Sequence, residues 1–461
     1  MIADLKPYPE YKESGLPWLG PVPEHWSRER AKWLFTKMAR PVDTADGVVT
    51  CFRDGMVTLR KNRRLRGFTE AIYELGYQGI RKGDLVIHAM DAFAGAVGVS
   101  DSDGKATPVY AVCRPKPGVN AHYYAFIVRE MARSQWILAL SRGIRERSTD
   151  FRYETFGRQP VPLPPPAEQA AIVQFLSWAN GRLERAIRAK KKVIALLNEQ
   201  NQAIIHRAVT RGLDPSVPLK PSGIHWLGDI PQNWEVCRIK YLLREVDERS
   251  TTGGEPLLSM RMHHGLVLFA DHFSRPPQAA TLVGFKIVRP GQFVVNRMQA
   301  GNGVIFASTL SGLVSPDYAV FDPIGDANVE FLGELFRSRK VRAKFRAESK
   351  GLGTGTSGFL RLYNDRLGAI HVALPPRAEQ RNILKGVSGE LSEVNTAISR
   401  LEREIELLRE YRTRVVADVV TGKLDVREAA ERLPEEAARD TTEDDADLSI
   451  DPEAADEEAV A

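Results

Sequence analysis

Cysteine is scarce in this chain. Cys51, Cys113 and Cys237 are the only three, they stand far apart, and none belongs to a CxxC-type pair. That excludes a disulfide scaffold and a zinc knuckle, and it points to free thiols in a reducing, cytoplasmic setting. No apolar run reaches the roughly 18 residues of a membrane-spanning helix. The opening MIADLKPYPEY lacks the basic-then-apolar order of a signal peptide. Signatures of chemistry are missing as well. There is no GxxxxGK[ST] phosphate loop, no HExxH pair, no NPPY-type motif for amino-methyl transfer, and no acid pair followed by an ExK strand. GLGTGTSGF (351–359) is glycine-rich, but without a lysine or a preceding apolar strand it reads as a loop. His263, His264 and His272 lie close in sequence without metal-ligand spacing and read as surface or groove histidines.

The formal net charge is only +5, over 461 residues of which 43% are hydrophobic and 27% charged. That length and composition allow two to four soluble domains. The charge is unevenly placed. Residues 434–461 hold twelve acids and one base, Arg439, which leaves the rest of the chain at +16. An acidic, aromatic-free terminus is expected to be disordered. A strongly basic remainder favours a polyanionic partner, with an ordinary basic surface as the alternative.

The chain is also written twice. SGLPWLGPVPEHWSRERAKWLF (14–35) returns as SGIHWLGDIPQNWEVCRIKYLL (222–243) at an offset of 208. The offset pairs Trp18 with Trp226, Trp26 with Trp234, Arg30 with Arg238, Lys32 with Lys240, Gly83 with Gly291 and Met90 with Met298. At an offset of 211, LPPPAEQ (163–169) returns as LPPRAEQ (374–380), and VTRGLD (209–214) as VTGKLD (420–425). Two copies of one unit predict two similar surfaces related by a pseudo-two-fold, suited to a bipartite target.

Each copy reads as α+β. A Trp/Pro-rich opening leads into about 130 mixed residues, an LPP boundary and a long helix. GIRKGDLVIHAM (79–90) and KIVRPGQFVVNRM (286–298) predict strands after glycine turns, and residues 122–141 and 329–349 carry helical spacing. From Val387 the apolar positions run Leu391, Val394, Ile398, Leu401, Ile405 and Leu408, the 4,3 alternation of a coiled-coil seam. The first copy gives Leu176, Leu183, Ile187, Ile194 and Leu197, with Asn180 and Lys190 as polar interruptions that would fix register. These helices are expected to span about 35–40 residues, or about 50–60 Å. A lone seam of that length is exposed, so the economical solution pairs the two helices with each other, antiparallel. Glu168 and Glu379 fall in the first turns, where the helix dipole favours an acid, and Gly212 and Gly422 follow the ends.

The candidate polar contacts are clustered. RKNRRLRGF (60–68) holds Arg60, Lys61, Arg63, Arg64 and Arg66. His88 ends a predicted strand, and RGIRERSTDFR supplies Arg145 and Arg147. The second copy offers Arg261, His263, Asn296, Arg297, Gln299, Asn302, Lys350 and Arg361. Lysine and arginine neutralise phosphates, arginine also reads guanine, and Asn and Gln read adenine. Solvated charged loops are the plain alternative, and neutral drift is the alternative reading of the difference between the two sets. The four repeated tryptophans read as packed turns rather than stacking platforms, although stacking stays open.

With these residues on the page, the chain resembles the specificity subunit of type I restriction–modification systems. The resemblance rests on the duplicated SGxxWLG…P…W opening, GDLV (83–86), SRGIR (141–145), the LPPxxEQ motif with its helix, and VTRGLD/VTGKLD. It covers roughly residues 8–430. It implies a first target recognition domain over 1–165, a first spacer helix over 166–213, a second target recognition domain over 214–375, a second spacer helix over 376–430, and an acidic tail over 431–461. It implies that each domain reads one half of a bipartite site in double-stranded DNA. The paired helices would set the spacer and dock two modification (methyltransferase) subunits. The chain itself would bind no cofactor and have no catalytic residues; S-adenosylmethionine, ATP and Mg would sit on the modification and restriction (ATPase/nuclease) subunits. A degenerate scaffold that assembles without reading DNA is the alternative. The glycine-rich segment before the second LPP has no counterpart in the first copy, which suggests readers of different subtype.

Overall fold

The computed structural model describes residues 5–434, apart from 44, 64–74, 141–149, 263, 274–275, 278, 326 and 352–359. The described residues divide into two compact units, 5–189 with 404–434, and 190–403.

Both units are built on the same four-stranded antiparallel sheet. In the first the strand order is Phe35–Lys37, Tyr110–Pro115, Leu85–His88, Val97–Val99. In the second it is Leu243–Val246, Ala319–Pro323, Phe293–Val295, Ile305–Ala307. The duplication read at offset 208 is therefore a duplication of topology. Leu85, Ile87, Phe293 and Val295 turn one sheet face into the main core of their unit, while Val86 and Val294 enter a second, smaller core on the other face. A strand buried on both faces has no polar alternation, which is why these segments read as continuous apolar runs.

A β-hairpin closes the smaller core in each unit, Val49–Cys51 with Val57–Leu59 in the first and Leu258–Arg261 with Gly265–Leu268 in the second. It approaches so closely that one position must be glycine. A Cβ on Gly104 would stand 2.4 Å from the Gly47 carbonyl oxygen, and one on Gly312 would stand 2.4 Å from that of Pro256.

The spacing over 122–141 and 329–349 predicts one helix each. The structure breaks both at a serine, giving Ala121–Arg133 with Trp136–Leu140, and Val329–Arg337 with Arg339–Glu348. Gln135 turns left-handed (φ 60°) and Ser338 is extended (φ −62°, ψ 146°). The break lets Val341 and Phe345 return to the same core as Leu335 and Phe336.

The long helices run Pro166–Arg211 (46 residues) and Arg377–Val420 (44 residues), longer than the seam alone suggests. Their outer turns keep packing. Val415, Val419 and Val420 enter the first unit's core, and Ala208 and Val209 the second's. Each unit holds an antiparallel helix pair. In the first, Arg412 bonds Glu184. In the second, Asn201 Nδ2 donates to Asn395 Oδ1 at 2.9 Å and Arg207 faces Glu390 at 3.4 Å. Leu176, Leu183, Ile187, Val387, Ile398 and Ile405 are buried, and Ile194, Leu197, Leu391, Val394, Leu401 and Leu408 are half-buried. Gly212 (φ 82°) and Gly422 (φ 76°) end the helices in the left-handed conformation. Beyond the second, Val426, Ala430 and Leu433 pack into the first unit's core, so ordered packing extends past residue 430.

The repeated AEQ motif fastens each unit. Glu168 is buried and accepts from Trp26 Nε1 at 2.9 Å, from the Tyr8 hydroxyl, and from His25 Nε2 at 2.7 Å. Burial and then the Glu168 carboxylate push the Tyr8 phenol far above its ordinary value, so it stays a donor. Gln169 accepts from the Asn120 amide at 2.9 Å and donates to the Pro164 carbonyl at 2.9 Å; Asn120 in turn caps helix Ala121–Arg133. The second unit repeats this arrangement. Trp234 Nε1 donates to Glu379 Oε1 at 2.9 Å, Gln380 accepts from the Asn328 amide at 2.7 Å, and Asn328 caps Val329–Arg337. Trp26 and Trp234 are fully buried, as packed turns require. Glu168 and Glu379 thus grip a tryptophan as well as lying in a first helical turn.

Candidate nucleic-acid interface

The sheet's third strand ends, in each unit, in a tight turn. In the first unit this turn follows strand Leu85–His88 and includes the 3-10 turn Ala92–Ala94. In the second it follows Phe293–Val295 and includes Ala300–Asn302. Gly95 (φ 90°) and Gly303 (φ 91°) close the two turns in the left-handed region, where glycine is the favoured residue.

His88 and Asn296 occupy the same position, at offset 208, and do the same local work. His88 Nδ1 accepts from the Asp91 amide at 3.0 Å, and Asn296 Oδ1 accepts from the Met298 amide at 3.1 Å. Each meets the equivalent tyrosine. The His88 ring stands edge-on to Tyr110 at 4.7 Å, and Asn296 hydrogen-bonds Tyr318. Burial holds the His88 imidazole below its ordinary pKa, so it is neutral with Nδ1 as acceptor. Burial likewise pushes the Tyr110 phenol up to about 12, against a smaller downward pull from Arg60. The sequence offers His88 and Asn296 as candidate DNA contacts. The structure gives them the job of shaping the turn, with Asn296 only 4% exposed.

Around the first turn, Arg53 pairs with Asp91 at 2.9 Å, tying the hairpin tip to the strand end. Arg60 Nε donates to Thr50 Oγ1 at 3.2 Å, and Lys61 is exposed. Arg63 pairs with Asp54 at 2.6 Å and lies over Phe52 at 4.5 Å. Arg64, Arg66, Arg145 and Arg147 lie outside the described residues. Around the second turn, Arg297 bonds Asn364 at 3.2 Å and Glu245 at 3.3 Å. Gln299 accepts from Asn302 Nδ2 at 2.7 Å, while Asn302 Oδ1 accepts from Arg346 at 2.8 Å. The Arg261 guanidinium lies over Phe273 at 5.7 Å. His263 lies outside the described residues, and its neighbours His264 and His272 stack at 6.3 Å. Lys350 and Arg361 pair through their backbones, Arg361 pairs with Asp317 at 2.9 Å, and the Leu362 amide donates to the Arg297 carbonyl at 2.9 Å.

The structure therefore gathers Asn296, Arg297, Gln299, Asn302, Lys350 and Arg361 around one turn of the second unit. Sequence reasoning missed Arg53, Asp91 and Arg346. The offset of 208 carried a signal for the first, since it sets Arg53 against Arg261. Chemically, both turns carry guanidiniums paired with carboxylates, exposed in the first unit (Arg53 and Arg63) and half-buried in the second (Arg297 and Arg361). Such pairs are weak in water and can exchange their carboxylates for phosphates.

No family model matches the chain, and no curated protein does. Solved structures do. A chain from a structure of the type I R-M system, described for its complex assembly and conformational transition, is 15% identical, with a TM-score of 0.58 over 87% of this chain and 99% of that one. The HsdS subunit from Thermoanaerobacter tengcongensis is 16% identical, with a TM-score of 0.43 over 87% of this chain and 98% of that one. The S subunit from M. genitalium is 12% identical, with a TM-score of 0.32 over 86% and 96%. The duplicated sheets and paired helices of this chain thus share their fold with that chain from a structure of the type I R-M system.

Proposed function

We propose that this chain is the DNA-reading specificity subunit of a type I restriction–modification enzyme. Each unit reads one half of a bipartite site. The helix pair spans the unspecified spacer and carries two modification subunits. The chain performs no catalysis itself; methyl transfer, with S-adenosylmethionine, and ATP- and Mg-dependent cleavage belong to its partners. One observation carries the reading: two units share sheet order, caps and the Trp–Glu lock, yet their turns carry different polar sets. A common frame with divergent tips is what two readers of different half-sites require. The basic balance outside the terminal 28 residues supports a phosphate-rich partner.

The deciding experiment maps methylated adenine across the host genome with the gene intact and deleted. The expected result is loss of methylation at one split motif, which gives both half-sites at once. An unchanged methylome would overturn the reading in favour of a scaffold that assembles without reading DNA.

A further inference from the structure

The reading turns differ between the units, but one exposed pattern of cations beside an aromatic ring recurs in both. Arg30, Lys32 and Trp33 in the first unit correspond at offset 208 to Arg238, Lys240 and Tyr241 in the second. Trp33 is 58% exposed and Tyr241 62%, the two most exposed aromatic side chains among the described residues. Lys32 Nζ lies 5.2 Å from the Trp33 ring centre, and Lys240 Nζ lies 5.0 Å from that of Tyr241. Lys116 adds a second ammonium over Trp33 at 5.7 Å.

Folding does not explain these rings. In helix Ala31–Leu34 the buried residues are Ala31 and Leu34, and in the turn Ile239–Tyr241 the buried residue is Ile239; the aromatic points away from the core each time. Leaving a tryptophan more than half exposed forgoes apolar burial worth about 25 cal/mol per Å². Beside Trp33 lies a groove of about 550 Å³ lined by Leu34, Pro117, Val119, Leu163 and Pro165.

We infer that Lys32–Trp33 and Lys240–Tyr241 add to the helix pair the anchors by which one kind of protein subunit docks on this chain twice, once on each unit. Surfaces that read different half-sites diverge, whereas a surface kept in both copies meets the same thing twice. Tryptophan, tyrosine and arginine are the residue types that dominate interface energetics. Four cations (Arg30, Lys32, Arg238 and Lys240), with no acid inside either four-residue segment, ask for a partner surface that is acidic around an apolar plug. DNA fits this surface poorly, because phosphates are held by cations and N–H donors and not by an indole beside a proline-lined groove. The inference rests on the proposed function, in which the subunit that binds twice is the modification subunit.

The test co-expresses the full chain with that modification subunit and counts copies by native mass spectrometry, with titration for affinity. The unaltered chain is expected to bind two copies. Trp33→Ala or Tyr241→Ala should each weaken one copy by about 30-fold or more, the effect of losing an interface hot spot. The double variant should weaken both, and Trp33→Tyr, which installs the second unit's residue, should keep both. Lys32→Glu and Lys240→Glu should act in the same direction as the alanine variants. Two copies bound with unchanged affinity in the double variant would overturn the inference. So would intact assembly with lost affinity for a DNA duplex, which would assign the surface to DNA. If the unaltered chain binds no modification subunit, the functional reading itself fails and takes this inference with it.

Discussion

Trp26 Nε1 donates to Glu168 Oε1 at 2.9 Å across 142 residues of sequence, and Trp234 Nε1 donates to Glu379 Oε1 at the same distance across 145. One bond, made twice, fastens the opening of each unit to the start of its long helix. The two locks differ in depth. Glu168 is 4% exposed and also serves Tyr8 and His25, whereas Glu379 is half-buried and also serves Asn233. Glu168→Ala leaves the buried indole and phenol without an acceptor and should cost about 3 kcal/mol, since each orphaned donor costs about 1–3 kcal/mol. Glu379→Ala should cost about 1–2 kcal/mol. Hydrogen exchange resolved by unit checks the order; equal losses in both units would refute it.

Glycine substitutions should act in opposite directions. In Gly104→Ala the new methyl meets the Gly47 carbonyl oxygen at 2.4 Å, and in Gly312→Ala that of Pro256. Each should loosen the hairpin of its own unit by about 3 kcal/mol. Gly389 lies inside helix Arg377–Val420, with nothing within 4 Å of a Cβ. Gly389→Ala should therefore stabilise by about 1 kcal/mol. Denaturant midpoints give both signs.

Acid should weaken the fold through its histidines. Burial lowers the pKa of His88 below 6.5, and burial with Lys340, Arg339 and Arg211 lowers that of His206. A lowered folded pKa means that the unfolded chain takes up the proton first. This stability is full above pH 6.5 and is lost as pH falls through the folded values. His88→Asn copies the second unit's residue and keeps an acceptor for the turn. It should flatten the acid limb of a melting-temperature profile taken from pH 7.5 to 5.0. An unchanged slope would mean that His88 binds its proton equally in the folded and unfolded chain.

Replacing residues 36–160 with those of another reader should change one half of the methylated motif and leave the other intact. A change in both halves would contradict two independent readers.

If the helix pair sets the spacer, deleting one heptad from each helix in register removes about 10 Å. At about 3.4 Å per base pair the spacer should shorten by about three. Motif mapping reads the result, and an unchanged spacer would remove the ruler role.

The repeat, the α+β pattern and the seam from Val387 to Leu408 were legible in the amino-acid order, because period and spacing are local properties. So was the packing of Trp26 and Trp234, from their place in a Pro- and Gly-marked turn. The breaks at Ser134 and Ser338 were not legible, since both segments keep helical spacing on either side. The grip of Glu168 on Trp26 was not legible either; a carboxylate in a first turn reads as a dipole partner until the fold brings an indole to it. The candidate interface divided in the same way. Composition located the clusters at Arg60–Arg63 and Asn296–Asn302. Only tertiary structure could decide that His88 and Asn296 bend inward to hold a turn while Arg53, 38 residues away in sequence, pairs with Asp91. Sequence alone determined that the chain is two copies of one unit joined by long helices. The tertiary structure decided which polar side chains are spent on the frame and which are left facing out, because burial and hydrogen-bond partners depend on contacts between segments that no local pattern records.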